Sequence, residues 1–296
     1  MKIGFVGLGH MGLPMARNIL KAGHDLAVFS SQSASVAALV VEGASQAASL
    51  SELVAGNTAV CSCRVTPEQS REVFLGPDGV LSRGAPGTLC VDFSTVDPIT
   101  SRDIAGQLRA AGHGFCDAPV SGGPNGAEAR TLSVLVGASD ADWARAKPIF
   151  EALSHKLFHL GDVGAGVTAK LCNNLITGTV HVLLAEAMVF GTKAGIDPRR
   201  LYDVLTASTA NSTTLQRVVP NHFLPRNFEP ASALTTIIKD LECVLATAKA
   251  LDVRMLLPAV AQQCYIEAAG LGHGAKDLSA VILPMESIAG IQVGPV

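Results

Sequence analysis

The sequence predicts an α/β fold with an all-helical domain behind it. Three observations lead there: β-rich runs alternate with helical patterns from Lys2 to about His159, the β pattern stops after Gly164, and 296 residues exceed one typical domain. Alternation of this kind belongs to parallel βαβ units, a doubly wound sheet with helices on both faces. The strand candidates are residues 3–6, 26–29, 59–63, 89–93, 115–118, 132–136 and 156–160. The remainder reads as long helices broken at Gly195-Ile196-Asp197-Pro198, at 220–230 and around 270–274, where glycine and proline interrupt the period. The run Gly161-Asp162-Val163-Gly164-Ala165-Gly166 reads as a hinge into a helix, which sets the expected domains at 1–162 and 163–296.

Composition excludes several functions. A formal charge of −3 with no basic run leaves no footprint for nucleic acid. No stretch long enough to span a bilayer is free of charged, polar or glycine interruptions, and Met1-Lys2-Ile3 runs straight into a strand, so a soluble cytoplasmic protein without a membrane partner is expected. The seven cysteines are scattered and odd in number, without a CxxC pair, which indicates neither a disulfide framework nor a zinc cluster. Cys61 and Cys63 read as small buried apolar residues. His155 and His159 have the spacing of helical metal ligands, but their segment reads as a strand, so no metal is assigned.

Gly7-Leu8-Gly9-His10-Met11-Gly12 follows the first strand and opens a helical pattern through Pro14, Met15, Ile19 and Leu20. In that context Gly7 makes the tight turn, Gly9 lets backbone approach a pyrophosphate, and Gly12 lets helix and strand pack closely. The helix N-terminus then turns free N–H groups toward the phosphates. This reads as the dinucleotide fingerprint of a Rossmann domain, the alternative being a tight glycine turn with no ligand. The second strand ends Phe29-Ser30-Ser31-Gln32 with no acid to read a free ribose 2′-hydroxyl, so the coenzyme reading leans to NADP over NAD; the two serines also suit an ordinary helix cap.

Asp117-Ala118-Pro119-Val120-Ser121-Gly122-Gly123 follows a strand. Its small residues either turn several N–H groups toward one carboxylate or form a purely structural loop. From Gly164 a helix begins in which Lys170, Asn174, Thr177 and His181 share one face beside an apolar stripe of Val167, Leu171, Leu175 and Val182. An isolated lysine snorkels to solvent, whereas one held in a desolvated cleft has its pKa lowered into the range where it takes and gives a proton. His181 reads as core. Lys239-Asp240, by itself, reads as a solvated face.

Together these segments resemble the β-hydroxyacid dehydrogenase family, which includes 3-hydroxyisobutyrate dehydrogenase and tartronate semialdehyde reductase. The resemblance covers nearly the whole chain and rests on Gly7 to Gly12 with Pro14-Met15-Ala16-Arg17-Asn18, on Asp117 to Gly123, on Gly164 to Asn174 and on Lys239-Asp240-Leu241, in the family's order and spacing. It implies a helical domain that also forms the subunit interface of a homodimer or homotetramer, with the active site in the cleft between domains. It further implies that Ser121, Gly122 and Gly123 bind the substrate carboxylate, that Lys170 is catalytic, that Asn174 positions the substrate, and that Thr95 and Lys239 lie by the cofactor. The chain departs from the pattern at Arg64-Val65, where many members have an apolar residue and proline, with Gln69 at a position often taken by a polar cofactor contact. Arg64 either meets a cofactor phosphate or lies on the rim. Ser30-Ser31 matches neither the acid nor the Asn-Arg pair of the family.

The expected function is hydride transfer between a nicotinamide cofactor, NADP or NAD, and a small β-hydroxy acid or its semialdehyde or keto form. The hydroxyl-rich segment Ser208-Thr209-Ala210-Asn211-Ser212-Thr213-Thr214 points either to a polyhydroxylated C3–C4 acid or to an exposed polar loop. Three rivals share the scaffold. The short helical domain argues against oxidative decarboxylation as in 6-phosphogluconate dehydrogenase. Lys170 argues against an imine reductase, and Lys170, Asn174 and Lys239 together argue against a non-catalytic nucleotide-binding module.

Overall fold

The computed structural model describes residues 1–230 and 232–295, in two compact units, Met1–Lys170 and Leu171–Val296. In the first, strands β1 (Lys2–Val6), β2 (Asp25–Phe29), β3 (Ser45–Gln46), β4 (Ala59–Ser62), β5 (Leu89–Asp92) and β6 (Gly114–Asp117) form a six-stranded sheet in the order β3-β2-β1-β4-β5-β6. All its pairings are parallel. Strands β4, β5 and β6 are buried at every residue, because helices cover both faces. Leu8, Met15 and Ile19 pack on one side; Val54, Phe74, Ile104 and Leu108 belong to a separate cluster. The strand order reverses between β1 and β4. In open parallel sheets ligands bind at such a switch point, outside the carboxyl ends of the strands.

The helices of this unit are α1 (Gly12–Lys21), α2 (Ser33–Val41), α3 (Leu50–Gly56), α4 (Pro67–Leu75), α5 (Val80–Arg83), α6 (Pro98–Ala110), α7 (Gly123–Glu128) and α8 (Asp140–Leu153). One expectation is corrected. The strands foreseen at 132–136 and 156–160, β8 (Ser133–Val136) and β9 (Lys156–His159), leave the main sheet and join β7 (Val120–Ser121) in a second sheet of order β7-β8-β9. β7 runs antiparallel to β8, since the chain doubles back between Ser121 and Ser133. β3 and β7 have two residues each, too short to show a period.

Helix α9 (Ala165–Lys193) carries the chain from the first unit into the second, followed by α10 (Pro198–Thr206), α11 (Thr213–Val218), α12 (Leu234–Ala250), α13 (Leu257–Ala268) and α14 (Ile282–Ala289). The break expected over 220–230 falls within that range. The helix widens into a π turn over Val219–Phe223, where Leu224 N–H bonds the Val219 carbonyl at 2.9 Å, and the chain leaves helical geometry only afterwards. Met188, Leu215, Phe223, Leu241 and Tyr265 form the fully buried centre of this unit. Tyr265 Oη donates to the Gly178 carbonyl at 2.8 Å, and a Cβ on Gly178 would sit 3.0 Å from Ile237, so α12 packs closely on α9 at that glycine. By length and composition alone α9 is apolar enough to cross a membrane, although Asn174, Gly178, His181 and Glu186 interrupt it. A core helix meets the same test, and 44% of its most apolar window is buried.

His181 is core, as the sequence suggests: it is buried, and its Nδ1 lies 2.7 Å from the Thr177 carbonyl. Burial lowers its pKa from 6.5 to about 4. Between those values the unfolded chain binds the proton that the folded chain refuses, so stability is full above pH 6.5 and declines as the pH falls toward 4. The depression corresponds to about 3 kcal/mol. Urea unfolding at several pH values is expected to show this loss for the wild type and a flatter profile for His181→Gln; parallel profiles would mean that the imidazole is protonated in the fold.

Candidate active site

The loop after β1 is shaped by what its glycines exclude. Gly7 has φ +93°, and a Cβ there would lie 2.4 Å from the Cys63 carbonyl oxygen, while a Cβ on Gly12 would lie 1.9 Å from the Gly7 oxygen. Both positions therefore demand glycine for the turn itself. Gly9 differs: a Cβ there meets no atom within 4 Å, so this glycine leaves open space instead of filling a tight one. Helix α1 begins at Gly12 without a side-chain cap among the described residues. Open space over Gly9 and an uncapped helix start are the features that a pyrophosphate requires, so these residues fit a dinucleotide. His10 is exposed and Met11 half-buried. Leu8 is buried, and its N–H donates to Ser30 Oγ at 3.2 Å.

Ser30 thus has a structural task, since Gln32 N–H also donates to its hydroxyl oxygen at 3.2 Å. Ser31 is exposed at the end of β2, the place where the adenosine ribose is read. After β4, Arg64 N–H donates to Ser94 Oγ at 2.8 Å, and Ser94 N–H donates to Asp92 Oδ1 at 3.0 Å, a chain that ties the β4 and β5 loops together beside Thr95. The Arg64 stem lies over the glycine turn, with its Cδ 3.2 Å from a Cβ built on Gly7, and its Nε is buried without a hydrogen-bond partner among the described residues. Val65 is exposed, and its N–H is capped by Gln69 Oε1 at 3.1 Å, which gives Gln69 a local role.

Asp117 ends β6, and its role is invisible in the sequence motif. Its carboxylate is fully buried and accepts two N–H groups at the start of α9, Gly164 on Oδ1 and Val167 on Oδ2, each at 2.7 Å. Burial pushes its pKa up to about 7, with the two N–H bonds pulling the other way. Gly122 and Gly123 both have positive φ, +141° and +67°, so the backbone after Ser121 curls in a way that ordinary residues resist. The segment is thus a short strand and a helix start rather than a plain loop. Lys170 is half-buried in the second turn of α9, and Asn174 follows one turn later on the same helix.

In the second unit Asn174 Nδ2 donates to Asp240 Oδ2 at 2.5 Å, and Lys239 Nζ lies 2.6 Å from Asp240 Oδ1. Asp240 is buried, which corrects the reading of Lys239-Asp240 as a solvated face: the acid is a bracket for Asn174 and Lys239. A buried acid in an otherwise apolar helical stripe was the available signal for it. Ser208 and Ser212 bond their own helices, Ser208 to the Val204 carbonyl and Ser212 as the cap of α11, while Thr209 and Thr213 are exposed.

Comparison with known proteins extends these local observations to the whole chain. Residues 2–161 match the NAD binding domain of 6-phosphogluconate dehydrogenase, and residues 164–285 match the model described as NAD-binding of NADP-dependent 3-hydroxyisobutyrate dehydrogenase. Among curated relatives, a 2-(hydroxymethyl)glutarate dehydrogenase of Eubacterium barkeri is 35% identical, over 99% of this chain and 97% of its own length. A 3-hydroxyisobutyrate dehydrogenase of Pseudomonas aeruginosa is 38% identical, over 89% and 90%. The crystal structure of a 3-hydroxyisobutyrate dehydrogenase from Salmonella typhimurium superposes with a TM-score of 0.86 at 34% identity, covering 95% of this chain and 99% of the other. The chain belongs to the β-hydroxyacid dehydrogenase family and is an NAD(P)-dependent oxidoreductase of small hydroxy acids.

Proposed function

We propose that Lys170 exchanges the proton of the substrate hydroxyl, that Ser121, Gly122 and Gly123 hold the substrate carboxylate, and that Asn174 orients the substrate. What supports this reading is the start of α9 at the carboxyl end of β6, where the Gly164 and Val167 N–H groups meet the Asp117 carboxylate, in the same sheet whose β1 leads into the glycine turn. Gly7 to Gly12, Ser30, Ser31, Arg64, Val65, Thr95 and Lys239 are proposed to line the coenzyme. When bound, the coenzyme takes or returns the hydride at its nicotinamide ring. The protein's own contribution is to hold the carboxylate and the reacting carbon in place, and such orientation supplies roughly 7–11 kcal/mol of a barrier. Proton exchange at Lys170 Nζ adds about 10²–10⁴-fold.

The substrate favoured is a polyhydroxylated C3–C4 acid, on the similarity to an L-threonate dehydrogenase of Cupriavidus necator, 33% identical over 95% of this chain. A homodimer or homotetramer is favoured by Ile176, Leu183 and Phe190, which recur every seven residues on α9 and are 60%, 52% and 76% exposed. The cytoplasm is favoured by seven cysteines that are scattered, odd in number and without a CxxC pair. Coenzyme reduction measured with a panel of C3 and C4 hydroxy acids tests the assignment. The highest kcat/KM is expected with a polyhydroxylated acid; a clear preference for an apolar branched acid refutes that choice.

NADP is favoured over NAD because no acid follows β2 and Ser31 stands exposed there. Ser31→Asp is expected to shift preference toward NAD, since its carboxylate repels a 2′-phosphate and bonds free ribose hydroxyls. Ratios of kcat/KM for the two coenzymes check this, and an unchanged ratio removes Ser31 from coenzyme selection.

A further inference from the structure

We propose that Asp117 is a positioning residue for Lys170, fixing the first turn of α9 against the dinucleotide-binding sheet. The inference rests on the reading of Lys170 as the proton-exchanging residue. Two N–H groups three residues apart, Gly164 and Val167, meet the two oxygens of one carboxylate at 2.7 Å. A two-point attachment fixes rotation about the helix axis as well as position along it. Lys170 follows Val167 by three residues, a little under one turn, so its direction is set by the same attachment.

The carboxylate is itself rigidly mounted. Asp117 pairs with Asp92 in the parallel sheet and exchanges two backbone bonds with Gly137, at 3.1 Å and 2.9 Å. The glycines around it are there for closeness rather than for movement. A Cβ on Gly137 would lie 2.5 Å from Asp117 Oδ1 and 2.9 Å from Ala165 N; one on Gly166 would lie 2.4 Å from the Leu135 oxygen and 2.8 Å from the Asp117 oxygen. Backbone therefore packs on backbone at Gly137 and Gly166. Since Asp117 is fully buried, it acts through the helix and does not touch substrate.

A cap that merely stabilises the fold would change unfolding and leave the proton step of the folded enzyme alone. The test is a double-mutant cycle on the full chain: kcat at saturating substrate, coenzyme Kd by fluorescence titration and thermal unfolding, for Asp117→Asn, Asp117→Ser, Lys170→Ala and the combinations. Asn replaces one acceptor oxygen with a donor that faces an N–H, and Ser keeps one acceptor. Each is expected to lower kcat by roughly 10- to 10²-fold with coenzyme Kd within about twofold, and to cause no further loss in the Lys170→Ala background. The proposal is overturned if kcat per folded molecule is unchanged, if the same factor is lost with Lys170 absent, if coenzyme binding falls in step, or if neither variant folds. Near-wild-type kcat in Lys170→Ala alone instead refutes the assignment of Lys170 on which the proposal rests.

Discussion

Replacing Gly9 by aspartate is expected to weaken coenzyme binding by roughly 10²-fold or more, about 3 kcal/mol, with thermal unfolding unchanged. The separation of the two effects follows from the geometry. A Cβ on Gly9 meets nothing within 4 Å, so the fold admits the new side chain, but its carboxylate then stands where the pyrophosphate of a dinucleotide approaches the turn. Gly12→Ala makes the contrasting control. Its Cβ would lie 1.9 Å from the Gly7 oxygen, so the turn must open, and both stability and binding are expected to fall. Calorimetry beside coenzyme fluorescence titration separates the cases. Retained affinity in Gly9→Asp would mean that the dinucleotide does not cross this loop.

The other large effect is expected at Lys170. Lys170→Ala is expected to lower kcat by about 10²–10⁴-fold while coenzyme Kd stays near the wild-type value, because the residue follows the glycine turn and takes no part in building it. A lysine that only attracted an anionic substrate would give a different pattern, a raised KM with kcat largely kept. Asn174→Ala is expected to lose less than Lys170→Ala, since the amide orients without exchanging a proton. The split between kcat and KM, measured on both variants in one assay, distinguishes proton exchange from attraction.

How much of this was legible in the sequence depended on whether a local pattern carried the information. The glycine turn was fully legible, because strand, Gly7, Gly9, Gly12 and helix are contiguous: Gly7 and Gly12 have a steric reason in the fold, and Gly9 leaves open space. The main parallel sheet was legible from strands whose apolar runs are buried on both faces. The second sheet was not, since pairing of β7 with β8 depends on a reversal between Ser121 and Ser133, and β7 has only two residues. The break over 220–230 was legible from its prolines, and a π turn carries the helix to Phe223 before the chain leaves it. Asp117 and Asp240 stood inside quoted motifs without a role. Their partners are distant in sequence, Gly164 and Val167 for one and Asn174 for the other, and only the folded chain brings an acid to its donors.

The central claim is that Lys170 exchanges a proton, and Lys170→Arg tests it most directly. Arginine keeps the positive charge and much of the length, yet a guanidinium with a pKa above about 12 cannot accept a proton at working pH. Measured as kcat at saturating coenzyme and hydroxy acid across several pH values, the Arg variant is expected to fall by roughly 10²-fold or more at every pH. Coenzyme affinity is expected to stay intact. An Arg variant with near-wild-type kcat and an unaltered pH profile would contradict the account.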